Sequence, residues 1–483
     1  MIVTEKKSVG LDLTPGMHLH IVGIGGAGMS AIARVLLGRG FQVSGSDQQG
    51  NAQTDALLAA GATIHIGHSP EFVDGADVIV VSSAVPATNP EWVAALSHGL
   101  PVLKRADLLG KLMQGTFGIA VAGSHGKTTT TGMIAHILIE GGLDPTVILG
   151  GTLAELGGNG RFGHGPHFVV EADEYDHMFL GLRPQMAVIT NIEHDHPDMF
   201  PTAADYRDAF NQFVALLPPD GRLIVCADDP GAAELPATLQ PAGVRVISYG
   251  LGQPSGKQPD MQALDVRPNQ MGGSDFVVEV AGQSVGLARI RLPGLHNVRN
   301  ALAAFVVALE LPIDFAQACR ALAGFGGVQR RFQLIGEAGG VTIIDDYAHH
   351  PTEIRATLAA ARQRYPGRRL WAVWQPHTYS RTRLLLDEFA ASFAQADRVV
   401  ALDIYGSREP VDPAITTGGV VERMEHPNAV HIADRRDAAD YLLERLRPDD
   451  VVLTLGAGDG NVIGHWVLEG LQDQLGNKRK SAT

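Results

Sequence analysis

Short apolar runs alternate with longer segments of helical periodicity along the whole chain. The run HLHIV leads through a glycine-rich turn into AGMSAIARVLLG, where apolar residues recur every three or four positions. The same order returns in TFGIAVAGSHGKTTTTGMIAHILIEGG and in VTIIDDYAHHPTEIRATLAAAR. Apolar runs bounded by turn residues are typical of buried parallel strands, and strands that alternate with helices predict α/β folds. The predicted fold class is therefore α/β with largely parallel sheets.

The chain has 483 residues, more than one ordinary core organises, and its pattern restarts twice. We expect three domains: a Rossmann-like N-terminal domain over residues 1–113, a central P-loop-type domain over 114–327, and a Rossmann-like C-terminal domain over 328–483. The polar stretch from Gly250 to Gly286 predicts strands and loops at an edge of the central domain. GFGGVQRRFQLIGEAGG is the expected hinge before the third domain, and the terminal GNKRKSAT is expected to be disordered.

Composition and charge narrow the class of protein. Hydrophobic residues make up 45% of the chain and charged residues 19%, as in a soluble globular protein. The formal net charge of -14 argues against nucleic-acid or anionic-membrane binding, because phosphate backbones are held mainly by Lys and Arg. No signal peptide or long apolar segment is evident, so we expect a cytoplasmic protein without membrane insertion. The two cysteines, Cys226 and Cys319, are expected to be buried and not disulfide-bonded.

The segment GSHGKT, residues 123–128, lies between a predicted strand and a predicted helix. Backbone N–H groups at a helix N-terminus bind phosphate, Lys127 adds a cation, and the Thr128 hydroxyl suits Mg²⁺. The common P-loop motif has a glycine five positions before the second glycine of this loop, where this chain has Val121. An ordinary glycine turn is the alternative, but Gly-Lys-Thr at a helix entrance favours a nucleotide site.

Three further polar clusters follow predicted strands, at the edge where open α/β sheets bind ligands. EADEYD contains Glu171, Asp173, Glu174 and Asp176, and NIEHDHPD contains His194, Asp195, His196 and Asp198, both of which suit a metal ion. The third predicted domain contributes Asp345, Asp346, Tyr347, His349, His350, Thr352, Glu353, His377, Arg381 and Arg383. Arg and His side chains there suit a carboxylate or a phosphate, and solvated loop charge is the alternative for each cluster.

The opening GIGGAGMS matches a dinucleotide fingerprint. Its glycines are Gly23, Gly25 and Gly28, and Asp47 lies 19 residues after Gly28. An NAD-dependent oxidoreductase is therefore a possible reading. The fingerprint itself indicates only that a diphosphate binds at a helix N-terminus, whatever that diphosphate is attached to.

Taken together, these stretches resemble the Mur ligase family of peptidoglycan synthesis. The resemblance runs from about Met17 to Gly464. It rests on HIVGIGGAGMSAIA, GSHGKTTTT, EADEYD, NIEHDHPD, GLHNVRNALAA, RRF, DDYAHHPTE, PHTYSR and DIYGSRE in the family's order. Nine motifs in order are highly specific.

The resemblance implies an activity. Within the family it points to ATP-dependent ligation of L-alanine to the lactyl carboxylate of UDP-N-acetylmuramate through an acyl phosphate. The implied cofactors are ATP and two Mg²⁺ ions, with both substrates as small-molecule partners and a monomer or weak homodimer as the assembly. The alternatives are a recycling ligase that attaches a tripeptide to the same acceptor, an oxidoreductase, and a non-catalytic nucleotide-binding regulator.

The resemblance also implies roles for individual residues. The implied catalytic residues are Lys127, Glu171, His196, Arg331 and Asp346. The implied ATP-binding residues are Gly123, Ser124, His125, Gly126, Lys127, Thr128, Thr129, Asn297, Asn300, Arg331 and Asp346. Gly25, Gly26, Ala27, Gly28 and Asp47 would bind the UDP-sugar, and Tyr347, His349, His350, His377 and Arg381 the amino acid. Thr128, Glu171 and His196 would hold metal.

The chain differs in one respect from several sister enzymes of the family, which use a carbamylated lysine at the second metal. This chain has no lysine between Lys127 and Lys257, and Phe210 takes the corresponding place. The departure excludes a carbamate there and agrees with the members that add L-alanine.

Overall fold

Three separate sheets organise the chain. The computed structural model describes residues 11–238, 243–252, 258–407 and 409–481. Each sheet collects strands from one part of the sequence, and helices cover the sheet faces, which confirms the predicted α/β class. The positions of the domain boundaries stay predictions.

The first sheet has five parallel strands in the order β3-β2-β1-β4-β5. Its elements are β1 (His18–Val22), α1 (Ala27–Gly38), β2 (Gln42–Asp47), α2 (Ala52–Ala59), β3 (Thr63–Ile66), β4 (Val78–Val81), α3 (Pro90–Ser97), β5 (Val102–Lys104) and α4 (Arg105–Leu112). A 3-10 helix, Pro70–Val73, precedes β4. The order reverses between β1 and β4, so a crevice opens beside the glycine turn that follows β1.

The second sheet has ten strands in the order β15-β14-β13-β12-β11-β10-β6-β9-β7-β8. Its elements are β6 (Phe117–Ala122), α5 (Lys127–Glu140), β7 (Thr146–Leu153), β8 (Gly158–Arg161), β9 (His167–Glu171), β10 (Met186–Ile189), α6 (Ala203–Val214), β11 (Arg222–Cys226), α7 (Pro230–Thr238), β12 (Arg245–Gly250), β13 (Met261–Pro268), β14 (Ser274–Val280), β15 (Gln283–Ile290), α8 (Leu295–Leu309) and α9 (Phe315–Gly324). Two 3-10 helices, Ala154–Leu156 and Tyr175–Gly181, follow β7 and β9. Strands β13 to β15 form an antiparallel edge, which confirms the edge predicted between Gly250 and Gly286.

The third sheet has six strands in the order β16-β17-β21-β18-β19-β20, of which only β16 is antiparallel to its neighbour. Its elements are β16 (Gln333–Ala338), β17 (Val341–Asp346), α10 (Pro351–Arg364), β18 (Arg369–Trp374), α11 (Tyr379–Leu384), α12 (Leu386–Ala390), β19 (Arg398–Ala401), α13 (Thr417–Arg423), β20 (Ala429–His431), α14 (Arg435–Arg445), β21 (Asp450–Leu455) and α15 (Val462–Ser481). A 3-10 helix, Ala391–Phe393, follows α12.

The hydrophobic core separates the third sheet from the other two. One continuous cluster of buried side chains joins the first and second sheets, from Leu19 to Val328. The third sheet has two clusters of its own, one on each face: Trp374 belongs to one and Trp371 to the other. The first two sheets are therefore packed as one body, and the third sheet meets that body mainly through polar contacts.

The β7–β8 hairpin fastens α1 to the second sheet. A Cβ on Gly160 would lie 2.3 Å from the carbonyl oxygen of Ala31, so only glycine permits this approach. The Asn159 amide donates to the carbonyl oxygen of Ala27 and to the Ser30 hydroxyl. These contacts hold the start of α1 at a fixed position relative to the central sheet.

Two predictions from the sequence were wrong in detail. Helix α15 continues to Ser481, so the backbone of the tail is helical over 476–481. Both cysteines are free, but Cys319, on α9, is only partly buried against the core that the first two sheets share. Residues 1–10 and 482–483 lie outside the described part of the chain. None of the described helices combines the length and apolar character that crossing a bilayer needs.

Candidate active site

Two cavities meet at the phosphate-type loop between β6 and α5. The first has a volume of about 330 Å³ and lies between the central sheet, α8 and the start of α10. The second, about 370 Å³, opens toward the third sheet. Gly126, Arg331 and Glu353 line both cavities. The loop therefore stands at the passage between two chambers, one formed mainly by the central sheet and one closed by the third.

The two glycines of the loop are fixed by their surroundings. Gly123 has φ +135°, and a Cβ there would lie 2.0 Å from Thr190 Oγ1. Gly126 has φ +82°, and a Cβ there would lie 2.8 Å from Asn300 Oδ1. Because side chains are excluded at both positions, backbone N–H groups are left at the entrance of α5, which begins at Lys127.

Lys127 is paired with a buried carboxylate of the EADEYD segment. Its Nζ lies 3.0 Å from Glu174 Oε1 and 2.9 Å from Oε2, and it donates to the Ser124 carbonyl oxygen at 3.1 Å. Burial raises the pKa of Glu174, but the charges and hydrogen bonds of Lys127 and His196 outweigh it and lower that pKa to about 2. Tyr206 donates its hydroxyl to Glu174 Oε1 at 3.1 Å. The pair stays ionised at neutral pH and holds the ammonium at the loop.

Thr128 and Glu171 fit a magnesium ion. The Thr128 hydroxyl donates to Glu171 Oε1 at 2.9 Å, and the backbone N–H of Gly150 donates to Oε2 at 2.7 Å. Both side chains line the second cavity beside Lys127. A hydroxyl and an oriented carboxylate at a phosphate loop are the hard oxygen donors that Mg²⁺ prefers.

His196 also lines the second cavity. Its Nε2 is 3.5 Å from Glu174 Oε1 and 3.7 Å from Asp195 Oδ2. Burial lowers the pKa of His196, but the two carboxylates outweigh burial and raise it. Imidazole alone is an unusual ligand for Mg²⁺, so the residues fit a second ion only together with these neighbouring carboxylates.

His125 links the loop to the third sheet. Its Nε2 lies 3.0 Å from Glu193 Oε2, and its Nδ1 lies 3.2 Å from Glu353 Oε1 on α10. Burial lowers the pKa of His125, but the hydrogen bonds to the two carboxylates outweigh it and raise the pKa to about 9. Both ring nitrogens therefore carry protons at neutral pH, and the imidazolium joins two carboxylates across the interface.

A buried ion pair crosses the same interface. Arg381 Nε and Nη2 lie 2.9 and 2.8 Å from Asp195 Oδ1, and both side chains are almost fully buried. Burial raises the pKa of Asp195, but the Arg381 charge outweighs it and holds that pKa well below its ordinary value. Arg381 Nη1 also donates to His377, through its carbonyl oxygen at 2.8 Å and its Nδ1 at 3.2 Å. Arg381 lines the second cavity while its guanidinium is committed to these partners.

Two histidines of the third sheet face the second cavity with opposite hydrogen-bonding character. His349 Nδ1 lies 2.9 Å from the Tyr347 carbonyl oxygen and so donates to it, leaving a lone pair on Nε2. His377 Nδ1 accepts from Arg381, which leaves the proton on Nε2. Burial lowers the pKa of His349 to about 3 and that of His377 to about 4. Both rings are neutral, one an acceptor and the other a donor.

The adjacent residue His350 does not line that cavity. It is the N-cap residue of α10 and is 2% exposed, with its ring 4.7 Å from the ring of His125. The sequence predicted both His349 and His350 for the amino acid and could not separate them. The structure directs His349 to the second cavity and His350 toward the loop.

The first cavity collects most of the residues predicted for the nucleotide. The predicted residues that line it are His125, Gly126, Thr129, Asn297, Asn300, Arg331 and Asp346. Asp346 accepts from the backbone N–H groups of Phe332 and Ala348, and burial raises its pKa to about 6. Lining residues that the sequence reasoning missed are Asp228, Asp229, Tyr249, His296 and Arg299. The signal for the two aspartates was available, since they directly follow strand β11.

The glycine turn of the first sheet is held by its own neighbours. The N–H of Gly25 donates to Asp47 Oδ2 at 2.9 Å, and the Asn51 amide donates to the Gly25 carbonyl oxygen at 3.2 Å. Asp47 is therefore engaged with the loop backbone. Gly26 is the N-cap of α1, so N–H groups of Ala27 and Gly28 lie at the helix entrance.

Arg105 covers that helix entrance and was missed from the sequence. A Cβ on Gly28 would lie 2.4 Å from its Cζ, and its Nη1 lies 3.3 Å from Asp173 Oδ2 in the central domain. Its buried Nε has no hydrogen-bond partner among the described residues. A cation at the positive end of a helix is unfavourable alone, and an anion bound there would satisfy both.

Three sequence profiles match nearly the whole chain, in consecutive segments. "Mur ligase family, catalytic domain" matches residues 18–116, "Mur ligase middle domain" 121–308, and "Mur ligase, glutamate ligase domain" 330–458. The chain belongs to the Mur ligase family. Membership accounts for the order of the three sheets and removes the oxidoreductase reading of Gly23–Gly28, which left the central loop unexplained.

Similar Mur ligases carry consistent names. A Salinibacter ruber protein named UDP-N-acetylmuramate–L-alanine ligase is 47% identical over 446 residues, 92% of either chain. A Geobacter sp. (strain M21) protein of the same name is 45% identical over 93% of this chain and 97% of its own. The crystal structure of UDP-N-acetylmuramate-alanine ligase from Thermotoga maritima is 28% identical, with TM-score 0.80 over 95% of this chain and 100% of its own. A murein peptide ligase from Psychrobacter arcticus reaches TM-score 0.70 at 28% identity, over 94% of this chain and 99% of its own.

Phe210 occupies an apolar site within this Mur ligase. It is fully buried on α6, with ring centroids 5.4 Å from Phe179 and 5.2 Å from Tyr206. Since the chain has no lysine between Lys127 and Lys257, this side of the site lacks a residue that could form a carbamate.

Proposed function

We propose that the chain ligates L-alanine to the lactyl carboxylate of UDP-N-acetylmuramate, with ATP converted to ADP and phosphate through an acyl phosphate. The observation that carries the proposal is the phosphate-type loop at the junction of two cavities. A nucleotide in the first cavity would direct its terminal phosphate past Gly126 into the second. The names and coverage of the relatives support L-alanine over a tripeptide as the incoming group.

Activation of the carboxylate comes first in this proposal. A carboxylate oxygen is a poor leaving group, so the γ-phosphoryl group of ATP is transferred to it. Lys127 and the N–H groups at the entrance of α5 hold the phosphates. Arg331 lines both cavities, so its charge stabilises the phosphoryl group as it passes from one cavity to the other. Thr128 with Glu171, and His196 with its carboxylates, would hold Mg²⁺, which neutralises phosphate charge when bound.

The acceptor is bound by the first domain. The glycine turn and the N-terminus of α1 bind the diphosphate of the nucleotide sugar. Arg105 supplies a local positive charge for that diphosphate, although the chain as a whole is negatively charged. Because Arg105 also contacts Asp173, it connects the diphosphate site with the wall of the second cavity. The lactyl carboxylate then lies within reach of the loop.

The amino acid binds through the third domain. The lone pair on His349 Nε2 accepts a hydrogen bond from the amine of alanine, and the Nε2–H of His377 donates a hydrogen bond to its carboxylate. Arg381 orients His377, and Tyr347 closes the same wall. The ammonium of alanine first loses a proton to solvent, and the free amine attacks the acyl carbon of the acyl phosphate. The tetrahedral intermediate loses a second proton and expels phosphate to leave the amide.

The remaining assignments belong to the same proposal. We place the UDP-sugar site in residues 1–113, the ATPase site in 114–327 and the amino-acid site in 328–483. We expect a cytoplasmic enzyme, active as a monomer or a weak homodimer, that closes its third domain on the other two.

ADP release in four reaction mixtures tests the proposal. Each contains ATP and Mg²⁺, with UDP-N-acetylmuramate, L-alanine, both, or UDP-N-acetylmuramate with the tripeptide. We expect rapid ADP formation only with both substrates. Stimulation by the tripeptide and not by L-alanine would replace this proposal with the recycling ligase.

A further inference from the structure

The cluster around His125 holds a set of metal ligands to which the chemical steps proposed above assign no role. His125 and Glu193 belong to the central domain, and His350 begins α10 of the third. One ligand atom from each residue lies within 4.8 Å of the others. We propose that His125, Glu193 and His350 form a Zn²⁺ site across this interface, and that the bound ion ties the third domain to the phosphate loop.

The distances are close to those of a tetrahedral zinc site. His125 Nε2 lies 3.0 Å from Glu193 Oε2, and His350 Nδ1 lies 3.9 Å from the same oxygen. Zinc bonds of about 2.0–2.1 Å at tetrahedral angles place neighbouring ligand atoms about 3.4 Å apart. His350 Nδ1 accepts the backbone N–H of Thr352 at 3.3 Å, a contact that the ion would replace, and water completes the fourth position.

Two outer contacts orient the ligands. Glu353 Oε1 lies 3.2 Å from His125 Nδ1, so that nitrogen keeps its proton and directs Nε2 toward Glu193. Thr352 donates its hydroxyl to Glu193 Oε1 at 2.8 Å, which leaves Oε2 for the ion. A carboxylate behind a histidine and a hydrogen bond behind a carboxylate are the outer contacts that zinc sites commonly have.

Zinc binding releases one proton. His125 is an imidazolium, and Zn²⁺ displaces the proton from Nε2 into solvent, while Nδ1–H stays hydrogen-bonded to Glu353. His350 loses none, because burial lowers its pKa to about 4 and the ring is already neutral. Its Nε2 is buried without a hydrogen-bond partner in the described part of the chain.

This site differs from the magnesium site in ligands and place. Two imidazoles select zinc over Mg²⁺, which prefers oxygen donors. Thr128, Glu171 and His196 line the second cavity, whereas His125 and Glu193 line the first. The three zinc ligands come from two domains, so the ion would link the central domain to the third.

Metal binding to the full chain, measured without substrates, tests the site. Zn²⁺ is titrated against a chromophoric chelator in millimolar Mg²⁺, and Co²⁺ is substituted to read coordination from its visible absorption. We expect one competing Zn²⁺ per chain and the intense bands of four-coordinate Co²⁺. Binding that Mg²⁺ abolishes, or weak six-coordinate bands, would overturn the proposal.

Variants make the test specific to this cluster. His350→Asn keeps a good helix N-cap but removes the imidazole, and Glu193→Gln removes the carboxylate. Each should weaken Zn²⁺ binding at least tenfold, while His98→Asn, at the exposed C-cap of α3, should leave it unchanged. Unchanged affinity in both cluster variants, with thermal unfolding confirming that they fold, would refute the assignment. Because the readout is binding, its failure is distinguishable from a failure of the ligase proposal.

Discussion

The buried pair of Lys127 and Glu174 supports the most quantitative prediction. Glu174 is fully buried, and its carboxylate lies 2.9 Å from the Lys127 ammonium. At an effective dielectric constant of about 20, two unit charges at that distance attract by about 6 kcal/mol. Removing one partner of a buried pair typically costs about 3–5 kcal/mol, because the other charge is left uncompensated. Glu174→Gln should therefore destabilise the central domain by about 3–5 kcal/mol.

A double-mutant cycle with Lys127→Met measures the pair itself. The double variant removes both charges, so we expect it to be destabilised by clearly less than the sum of the single variants. Thermal unfolding of the body that the first two sheets form reports the effect as a shift of its midpoint.

Glu234→Gln is the matched control for this cycle. The Glu234 side chain is 61% exposed and pairs with Arg207 on the surface of the same domain, so its loss should cost less than about 1 kcal/mol. Additive effects of Lys127→Met and Glu174→Gln would refute the reasoning, as would a Glu174→Gln midpoint equal to that of the control.

Three further predictions concern metal, substrate and pH. His196→Ala should shift the Mg²⁺ titration of activity to higher concentration, and an unchanged titration would remove His196 from the metal site. Arg381→Met leaves Asp195 buried without its partner and removes the donor to His377, so KM for L-alanine should rise at least about tenfold; an unchanged KM would contradict this. His125 has a pKa raised to about 9, so its stabilisation is complete below about pH 6.5 and lost as the pH rises through 9. The melting difference between wild type and His125→Asn should therefore be largest near pH 6 and vanish above about pH 9.5; a pH-independent difference would exclude the imidazolium.

Local sequence signals predicted the elements and the loop well. The phosphate-type loop and helix α10 follow from nearby residues, because turn glycines, N-terminal Pro351 and apolar periodicity are all short-range signals. The resemblance to the Mur ligases named residues that the structure brings to the two cavities. The loop and α10, in contrast, are determined by neighbouring residues alone.

Side-chain direction was beyond the sequence. Glu171 and Glu174 lie in one acidic segment, yet one faces Thr128 and the other is buried against Lys127, because a 3-10 turn follows β9. His349 and His350 are adjacent and point to different places, because the start of α10 turns the chain between them.

Long-range pairs were equally inaccessible. Arg105 lies against the entrance of α1 although it is 77 residues away from Gly28 in the sequence. Asp195 pairs with Arg381, which belongs to another domain. Such pairs have no local signature, because only the docking of separately patterned segments brings them together.

Transfer of labelled oxygen tests the central claim most directly. UDP-N-acetylmuramate carrying ¹⁸O in its lactyl carboxylate is converted with ATP, Mg²⁺ and L-alanine, and the released phosphate is analysed by mass spectrometry. An acyl phosphate breaks the bond between the acyl carbon and the bridging oxygen, so we predict one ¹⁸O in each phosphate released. Unlabelled phosphate formed together with the alanyl product would contradict carboxylate activation at the loop.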